Sequence, residues 1–299
     1  MKNLVLIDAY AVLHRAFHAL PSFTSTRGEP TGALYGFTSF LLKTIRELKP
    51  DYIAACYDLA EPTFRHIAYD QYKIARPKKD DELIKQIDRS RDILAAFKIP
   101  IYDSSGFEAD DVIATIVEKT KDEKDIKTFI ASGDMDTLQL VKDDKVVVYT
   151  LSKGINETVI YNEEKVKGRF GFGPEMVVDY KALRGDPSDN IIGVAGIGEK
   201  TATDLITKFG NIENLYKILK EDRKQLEKAG IKERIIKLLE EHEEDAIFSK
   251  TLAEARRDAP IEFALGECLW QEALNKNDIE KVLGEFGFKS LIARMNTLL

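Results

Sequence analysis

Short apolar runs alternate with longer amphipathic segments through the first half of the chain. Runs rich in β-branched residues and bounded by charged or turn residues predict strands at residues 2–7, 52–57, 127–131 and 146–150, with an edge strand at 158–161. Apolar residues recurring every three or four positions predict helices at 32–48, 81–97 and 108–119. Strands that alternate with helices predict an α/β fold, with a sheet covered by helices on both faces.

The pattern becomes entirely helical after about residue 172. Amphipathic stretches predict helices at 174–183, 199–209, 212–219, 232–247 and 278–286. Pro174 stands at the start of the first stretch and Gly185 just beyond its end, which is typical of helix termini. We therefore predict an α/β core at residues 1–172, a helical domain at 173–260, and a helical segment at 261–299 that packs on the core.

Composition supports a packed and reduced protein. Hydrophobic residues make up 44% of the 299 positions, and the 32% of charged residues are spread along the chain, which argues against disorder. The two cysteines, Cys56 and Cys268, are too few for a disulfide framework. The N-terminus enters a short strand, so we expect neither a signal segment nor a membrane partner, and a cytoplasmic location.

Acidic residues follow three of the predicted strands. Asp8 ends the first strand, Asp58 follows the second, and Asp134 with Asp136 follows the third. Because ligands bind at the carboxyl ends of strands in open α/β sheets, we expect these side chains to lie together. Two further groups stand in other surroundings: Glu108, Asp110 and Asp111 at a helix start, and Asp186 with Asp189 in a turn-like segment.

Each acidic group taken alone has an ordinary explanation. Acids in a first helical turn stabilise the helix dipole, and Asp-Pro-Ser-Asp-Asn is typical of a turn. Together they favour a metal site, because clustered carboxylates are costly unless a cation neutralises them. All-oxygen ligands select Mg²⁺ or Mn²⁺, and two such ions about 3.5–4 Å apart can hydrolyse a phosphodiester. Nine neutralised carboxylates would also turn the formal charge of −7 slightly positive, which suits a DNA-binding protein.

A glycine-rich segment in the second half suggests a phosphate-binding turn. Gly196 and Gly198 precede Glu199, Lys200 and Thr201, so the lysine does not follow the last glycine as a nucleotide-binding P-loop requires. The spacing fits a helix-hairpin-helix better, in which backbone N–H groups hold a DNA phosphate independently of base sequence. The alternative is an ordinary connector between helices.

Basic and aromatic residues alternate at residues 64–79, directly after Asp58. The segment includes Arg65, Tyr72, Lys73 and Arg76. Aromatic stacking combined with positive charge is how proteins hold single strands without reading bases. The alternative is a solvated helix whose tyrosines belong to the core.

Several of these blocks, in this order, resemble the flap endonuclease and 5′-3′ exonuclease family, most closely the 5′-nuclease domain of bacterial DNA polymerase I. The blocks are Phe-Arg-His at 64–66, Tyr-Lys at 72–73 with Arg76, Phe-Glu-Ala-Asp-Asp at 107–111, Gly-Asp-Met-Asp at 133–136, Gly-Asp-Pro-Ser-Asp-Asn at 185–190 and Gly-Ile-Gly-Glu-Lys-Thr-Ala at 196–202. The resemblance implies a PIN-like nuclease core with a central, mostly parallel sheet, a helix-hairpin-helix domain, and a helical arch over the site.

The resemblance also implies roles for individual residues. One Mg²⁺, replaceable by Mn²⁺, would lie near Asp8, Asp58, Glu108 and Asp110, and a second near Asp111, Asp134, Asp136, Asp186 and Asp189. Lys73 and Arg76 would act at the scissile phosphate. DNA contacts would come from Tyr35, Arg65, Gly196, Gly198, Lys200 and Thr201, with a potassium ion at the hairpin.

The expected activity is two-metal hydrolysis near the 5′ end of flapped, nicked or primer-bearing double-stranded DNA by a monomer. An RNA-cleaving nuclease of the PIN-like fold and a DNA-binding module without catalysis are the alternatives. The chain departs from the family pattern at Ala9, Met135, Ile192 and Ala195. None of these positions is a predicted metal ligand.

Overall fold

The computed structural model describes residues 1–78, 80–153, 157–271 and 274–299. Its centre is a six-stranded sheet in the order β3-β2-β1-β4-β5-β6. The strands are β1 (Lys2–Asp8), β2 (Tyr52–Cys56), β3 (Ile101–Tyr102), β4 (Ile126–Ala131), β5 (Val146–Lys153) and β6 (Glu157–Tyr161). All neighbours pair in parallel except β5 with the edge strand β6, which pair antiparallel.

Fourteen α-helices lie in the described residues. They are α1 (Ala9–Ala19), α2 (Gly32–Leu48), α3 (Phe64–Ala68), α4 (Asp81–Ala96), α5 (Ala109–Lys119), α6 (Glu163–Phe170), α7 (Val177–Arg184), α8 (Glu199–Phe209), α9 (Ile212–Glu221), α10 (Arg223–Lys228), α11 (Glu233–Glu241), α12 (Glu243–Ala253), α13 (Lys276–Glu285) and α14 (Lys289–Leu298). Three 3₁₀ turns occupy Met135–Leu140, Pro174–Met176 and Leu265–Cys268.

Alternation along the central strand divides the apolar core into two layers. Leu4 and Leu6 of β1 point to one face, where they join α5 and the helices of the second half of the chain. Val5 and Ile7 point to the other face, where they join α1, α2, α4, α13 and α14. This is the period-two arrangement expected of a strand buried on both sides.

The predicted fold class is confirmed, with a mostly parallel central sheet between helices and a helical second part. The prediction of one helix at 232–247 was wrong, because the chain breaks at His242 (φ −123°, ψ 28°) between α11 and α12. Segment 174–183 begins as a 3₁₀ turn rather than an α-helix. The two-residue strand β3 was too short for its pattern to be visible.

The helical second part is not separated from the sheet by a gap in the core. Val112 and Ile113 of α5 share one apolar cluster with Leu183, Leu205 and Leu239. On the opposite face, α13 packs on α4 and α14 packs on α2. The boundaries after residues 172 and 260 therefore remain predictions. No helix in the described ranges is long and apolar enough to cross a membrane.

Candidate metal-binding and catalytic site

Three strand ends present carboxylates at one edge of the sheet. Asp8 caps α1, its Oδ1 accepting the Ala11 N–H at 3.0 Å, and its Oδ2 accepts the Ser132 hydroxyl at 2.6 Å. Asp58 follows the neighbouring parallel strand, and its Oδ1 accepts the Ala109 N–H at the start of α5, at 2.8 Å. Both acids therefore accept an N–H group at a helix start, which fixes their orientation at the edge.

Asp134 and Asp136 occupy the corresponding turn after β4. Asp134 caps the 3₁₀ turn Met135–Leu140, its Oδ1 accepting the Asp136 N–H at 2.9 Å. Its own N–H donates to the Ser132 hydroxyl at 2.9 Å, and the same hydroxyl donates to Asp8. Ser132, which the sequence analysis did not single out, thus ties the β1 and β4 strand ends together.

The carboxylates at this edge share one buried electrostatic environment. Burial raises the pKa of Asp8 to about 7, and the charges of Asp58 and Asp134 add to the rise. The hydrogen bonds from Ser132 and Ala11 oppose it. Burial and the charges of Asp134, Asp8, Asp136 and Asp58 raise the pKa of Asp110 well above its usual range. Burial raises the pKa of Asp136 to about 6, with Asp134 adding to the rise and Lys181 opposing it. Such a set is costly when ionised and fits a bound cation of high charge.

The basic segment after Asp58 closes over the acids. Lys73 Nζ lies 2.7 Å from Glu108 Oε1 and 3.8 Å from Asp189 Oδ2, and Arg76 also pairs with Asp189. The Tyr72 hydroxyl is within hydrogen-bond distance of the same two carboxylates, at 3.1 and 3.0 Å. Lys73 has a left-handed backbone (φ 57°), and its N–H donates to the Asp189 carbonyl at 2.9 Å. The segment therefore links the α5 acids to the 185–190 turn. Its last residue, Lys79, lies outside the described residues.

A buried lysine that the sequence analysis missed joins the remaining acids. Lys181 Nζ lies 2.7 Å from Asp186 Oδ2 and also pairs with Asp136 across the two halves of the chain. Burial opposes its charge, but Asp136 and Asp186 hold the pKa of Lys181 above its usual value. The sequence feature that could have indicated its burial is its position between the apolar residues Tyr180 and Ala182, in a short helix capped by Gly185.

Asp111 and Arg65, predicted as a metal ligand and a DNA contact, pair with each other in the interior. Both are buried, and they form a bidentate pair with two N–O distances of 2.8 Å. Asp111 Oδ1 also accepts the Arg256 N–H at 2.8 Å, and Oδ2 accepts the Glu108 N–H at 2.9 Å. All four lone-pair positions of Asp111 are thereby used inside the protein, which leaves none for a metal. Arg65 is likewise held in the interior.

The hairpin residues have the geometry of a tight turn that opens a helix. Gly196 has φ +87°, and Gly198, which has no side chain to cap the helix, is the N-cap of α8. Gly196, Gly198 and Lys200 are exposed, and Thr201 is half-buried. Backbone N–H groups at such a helix start are suited to a phosphate oxygen. The DNA role of these residues remains a prediction.

Tyr35 lies on α2 and contacts Phe23 and the start of α14. Its ring meets Phe23 and Phe288 edge-on at 5.6 and 5.4 Å between centroids, and its hydroxyl is 3.1 Å from Ser290 Oγ. Its predicted stacking role stays a prediction. Among the described residues, no three His, Cys, Asp or Glu side chains converge closely enough to hold a metal in this conformation, in which Lys73 and Lys181 stand between the acids.

Two family profiles together match most of the chain. Residues 3–171 match the 5′-3′ exonuclease N-terminal resolvase-like domain, and residues 172–276 match the 5′-3′ exonuclease C-terminal SAM fold. The chain is 39% identical over 299 residues to DNA polymerase I of Bacillus caldotenax, which covers 99% of this chain and 32% of the relative. It is 37% identical over 295 residues to DNA polymerase I of Bacillus subtilis, covering 98% and 32%. The chain thus spans about a third of the length of these relatives.

A solved structure supports the fold. The T5 5′-exonuclease with bound divalent metal ions (zinc) aligns with a TM-score of 0.69 at 21% identity, covering 98% of this chain and 99% of the other. At that identity the likeness concerns the fold alone. It extends over both the sheet and the helical part.

Proposed function

The chain belongs to the 5′-3′ exonuclease family, and on that premise we propose that it hydrolyses phosphodiesters near the 5′ end of flapped, nicked or primer-bearing DNA. The observation that carries the proposal is the set of acids at the strand ends, whose raised pKa values mark a buried cluster of like charge beside Lys73 and Arg76. Clusters of this kind are characteristic of catalytic sites.

The acids divide into two sets that would hold two divalent cations, Mg²⁺ or in its place Mn²⁺. One set is Asp8, Asp58, Glu108 and Asp110, and the other is Asp134, Asp136, Asp186 and Asp189. Bound there, such ions supply an activated water and stabilise the leaving oxygen. We omit Asp111, whose oxygens are all hydrogen-bonded inside the protein.

Lys73 and Arg76 would bind and orient the phosphate. Each pairs with a site carboxylate, so both basic side chains lie beside the acids before any substrate binds. A phosphate entering beside the acids can take over these donors without a large movement of the backbone. Preplaced donors of this kind stabilise the negative charge that builds up on the phosphate in the transition state.

The hairpin would hold the duplex part of the substrate. Exposed Gly196, Gly198 and Lys200 offer backbone N–H groups and one positive charge, which contact phosphates without reading sequence. A potassium ion at this turn, a monomeric state and a cytoplasmic location are further parts of the proposal that rest on the family resemblance. Any activity of the longer relatives beyond this region is not part of it.

Two other functions remain candidates. An RNA-cleaving nuclease of the PIN-like fold would use the same acids but has less use for a helix-hairpin-helix, which suits duplex DNA. A DNA-binding module without catalysis would not need so many like charges buried at one edge. Both are separated from the proposal by substrate and metal dependence.

The test is a cleavage assay with a 5′-labelled DNA flap, a matched blunt duplex and a matched RNA flap, each with Mg²⁺ or with EDTA. We expect cleavage of the DNA flap with Mg²⁺, little cleavage of the blunt duplex, and none with EDTA. Asp136→Asn should abolish cleavage while DNA binding persists, whereas Asp122→Asn, at an exposed acid outside the site, should cleave normally. Metal-independent cleavage, or normal turnover by Asp136→Asn, would reject the proposal.

A further inference from the structure

The last two residues of α12 and the chain that follows them, residues 252–259, are bound to the sheet domain through their own backbone. We call this segment the strap. Six of its backbone groups bond to side chains of the core: the carbonyls of Leu252 and Glu254 to Arg65, the carbonyl of Ala253 and N–H of Ala255 to Gln139, the N–H of Arg256 to Asp111, and the N–H of Ala259 to Thr115. Among the described residues, the side chains of Arg65, Gln139, Asp111 and Thr115 make these six bonds.

Two of these side chains also touch the acid-bearing turn at the start of α5. Arg65 donates to the Leu252 and Glu254 carbonyls at 2.8 Å each, while its other donors reach Asp111. Asp111 in turn accepts the Glu108 N–H, and Thr115 donates to the Asp111 carbonyl at 2.7 Å. The strap is therefore connected, through one or two side chains, to the backbone that carries Glu108 and Asp110.

Gln139 makes the equivalent connection to the other acid-bearing turn. Its amide nitrogen lies 3.1 Å from the Asp136 carbonyl and 3.2 Å from the Ala253 carbonyl, and its oxygen accepts the Ala255 N–H at 2.9 Å. One half-buried glutamine thus holds the backbone of Asp136 against the strap. Both acid-bearing turns, 108–111 and 134–136, are fixed to the same eight-residue segment.

The strap is continuous with the helix that supports the hairpin loop. Ser249, one turn before the strap on α12, accepts the Gly193 N–H at 3.0 Å with its hydroxyl. Ser249 and Gly193 are both buried. A chain of direct bonds therefore runs from the hairpin loop through α12 and the strap to the two acid-bearing turns.

We propose that the strap sets the separation of the two acid-bearing turns, and that Arg65 and Gln139 are its positioning residues. Neither side chain would touch substrate or metal. Outer-shell hydrogen bonds of this type orient metal ligands, and their loss costs about 10–100-fold in metal affinity or activity. The proposal rests on the proposed function only for its catalytic readout, because the position of the acids also determines metal binding in the absence of DNA.

The test replaces Gln139 by leucine, which keeps the size and removes three hydrogen bonds. The matched control is Gln86→Leu, because buried Gln86 also makes three bonds, accepting the Ala33 and Leu34 N–H groups and donating to the Glu82 carbonyl. The full chain is measured for thermal midpoint, for Mg²⁺ affinity without DNA by calorimetry, and for kcat and KM on the flap.

We expect Gln139→Leu to weaken Mg²⁺ binding and to lower kcat by about tenfold or more each, with KM for the flap within about threefold. Gln86→Leu should lower the thermal midpoint by a similar amount and leave Mg²⁺ affinity and kcat within about threefold. Arg65→Lys, which keeps the charge but cannot reproduce the planar fork, should act like Gln139→Leu.

Equal kcat and Mg²⁺ affinity for the two leucine variants would overturn the positioning role, as would normal values for Arg65→Lys. If the unaltered protein failed to cut the flap, the proposed function would fall. The Mg²⁺ titration would still test the positioning role of the strap in that case, so the two failures are distinguishable.

Discussion

Replacing Asp111 by asparagine should destabilise the protein strongly, although the change preserves side-chain shape. Asp111 is fully buried, and the Arg65 side chain is 4% exposed, so the guanidinium would lose its bidentate counter-charge where water cannot replace it. Breaking a buried pair from one side costs about 3–5 kcal/mol. Glu108, 3.5 Å from Arg65, partly compensates, which places the expected loss at about 3 kcal/mol.

A loss of that size is measurable against a total stability of roughly 5–15 kcal/mol. Urea unfolding followed by circular dichroism should show a lower midpoint with an unchanged slope, since the surface exposed on unfolding hardly changes. The thermal midpoint should fall by on the order of 10 °C, from about 2–4 °C per kcal/mol for chains approaching this size. A loss below about 1 kcal/mol would refute the assignment of Asp111 as the buried partner of Arg65.

A paired apolar replacement separates the charge from the backbone bonds. Exchanging both members of a buried pair for hydrophobic residues is often neutral. Here, the double variant Arg65→Met with Asp111→Leu would remove the hydrogen-bond partners of four backbone groups. These are the Leu252 and Glu254 carbonyls and the Glu108 and Arg256 N–H groups. At about 1–3 kcal/mol for each unsatisfied group, the double variant should remain at least as unstable as Asp111→Asn. Recovery of the original stability would show that these bonds matter little.

Three further outcomes are expected. Lys181→Met should lower the thermal midpoint of the metal-free protein, because Asp136 and Asp186 lose their counter-charge. Adding Mg²⁺ should then raise the thermal midpoint of the variant more than that of the unaltered protein. An equal Mg²⁺-induced rise in both proteins would argue against this. Lys73→Ala should slow flap cleavage more than it weakens duplex binding; equal losses would contradict an action at the scissile phosphate. Lys200→Ala should weaken binding about equally across DNA sequences and reduce the salt slope by about one; an unchanged slope would exclude a phosphate contact.

The strand-end acids could be predicted because their cause is local. A strand ends where its apolar run ends, and parallel neighbours bring their carboxyl ends to the same edge, so Asp8, Asp58 and Asp134 needed only the α/β pattern. The predicted bounds of α2 and α8 agree with the structure, since both segments have strong apolar periodicity and clear ends. The break at His242 was not visible, because neither proline nor glycine stands at residues 241–243 to mark a helix end.

The roles of individual charged residues could not be predicted in the same way. Asp110 and Asp111 are adjacent and identical in type, yet Asp110 lies among the strand-end acids and Asp111 faces Arg65 in the interior. Adjacent side chains on a helix point about 100° apart, and the sequence does not show which of the two points toward the site. Lys181 was not singled out in the sequence, and only the fold places it between Asp136 and Asp186.

The sequence by itself therefore determined the α/β architecture, the acids at the strand ends and the glycine turn of the hairpin, because each depends on periodicity or on residues close together in the chain. Only the tertiary structure decided that Arg65 and Asp111 bind each other, that Lys181 bridges two halves of the chain, and that Gln139 holds the strap. Those contacts join residues far apart in sequence, and whether a charge is buried and paired or exposed depends on what packs against it.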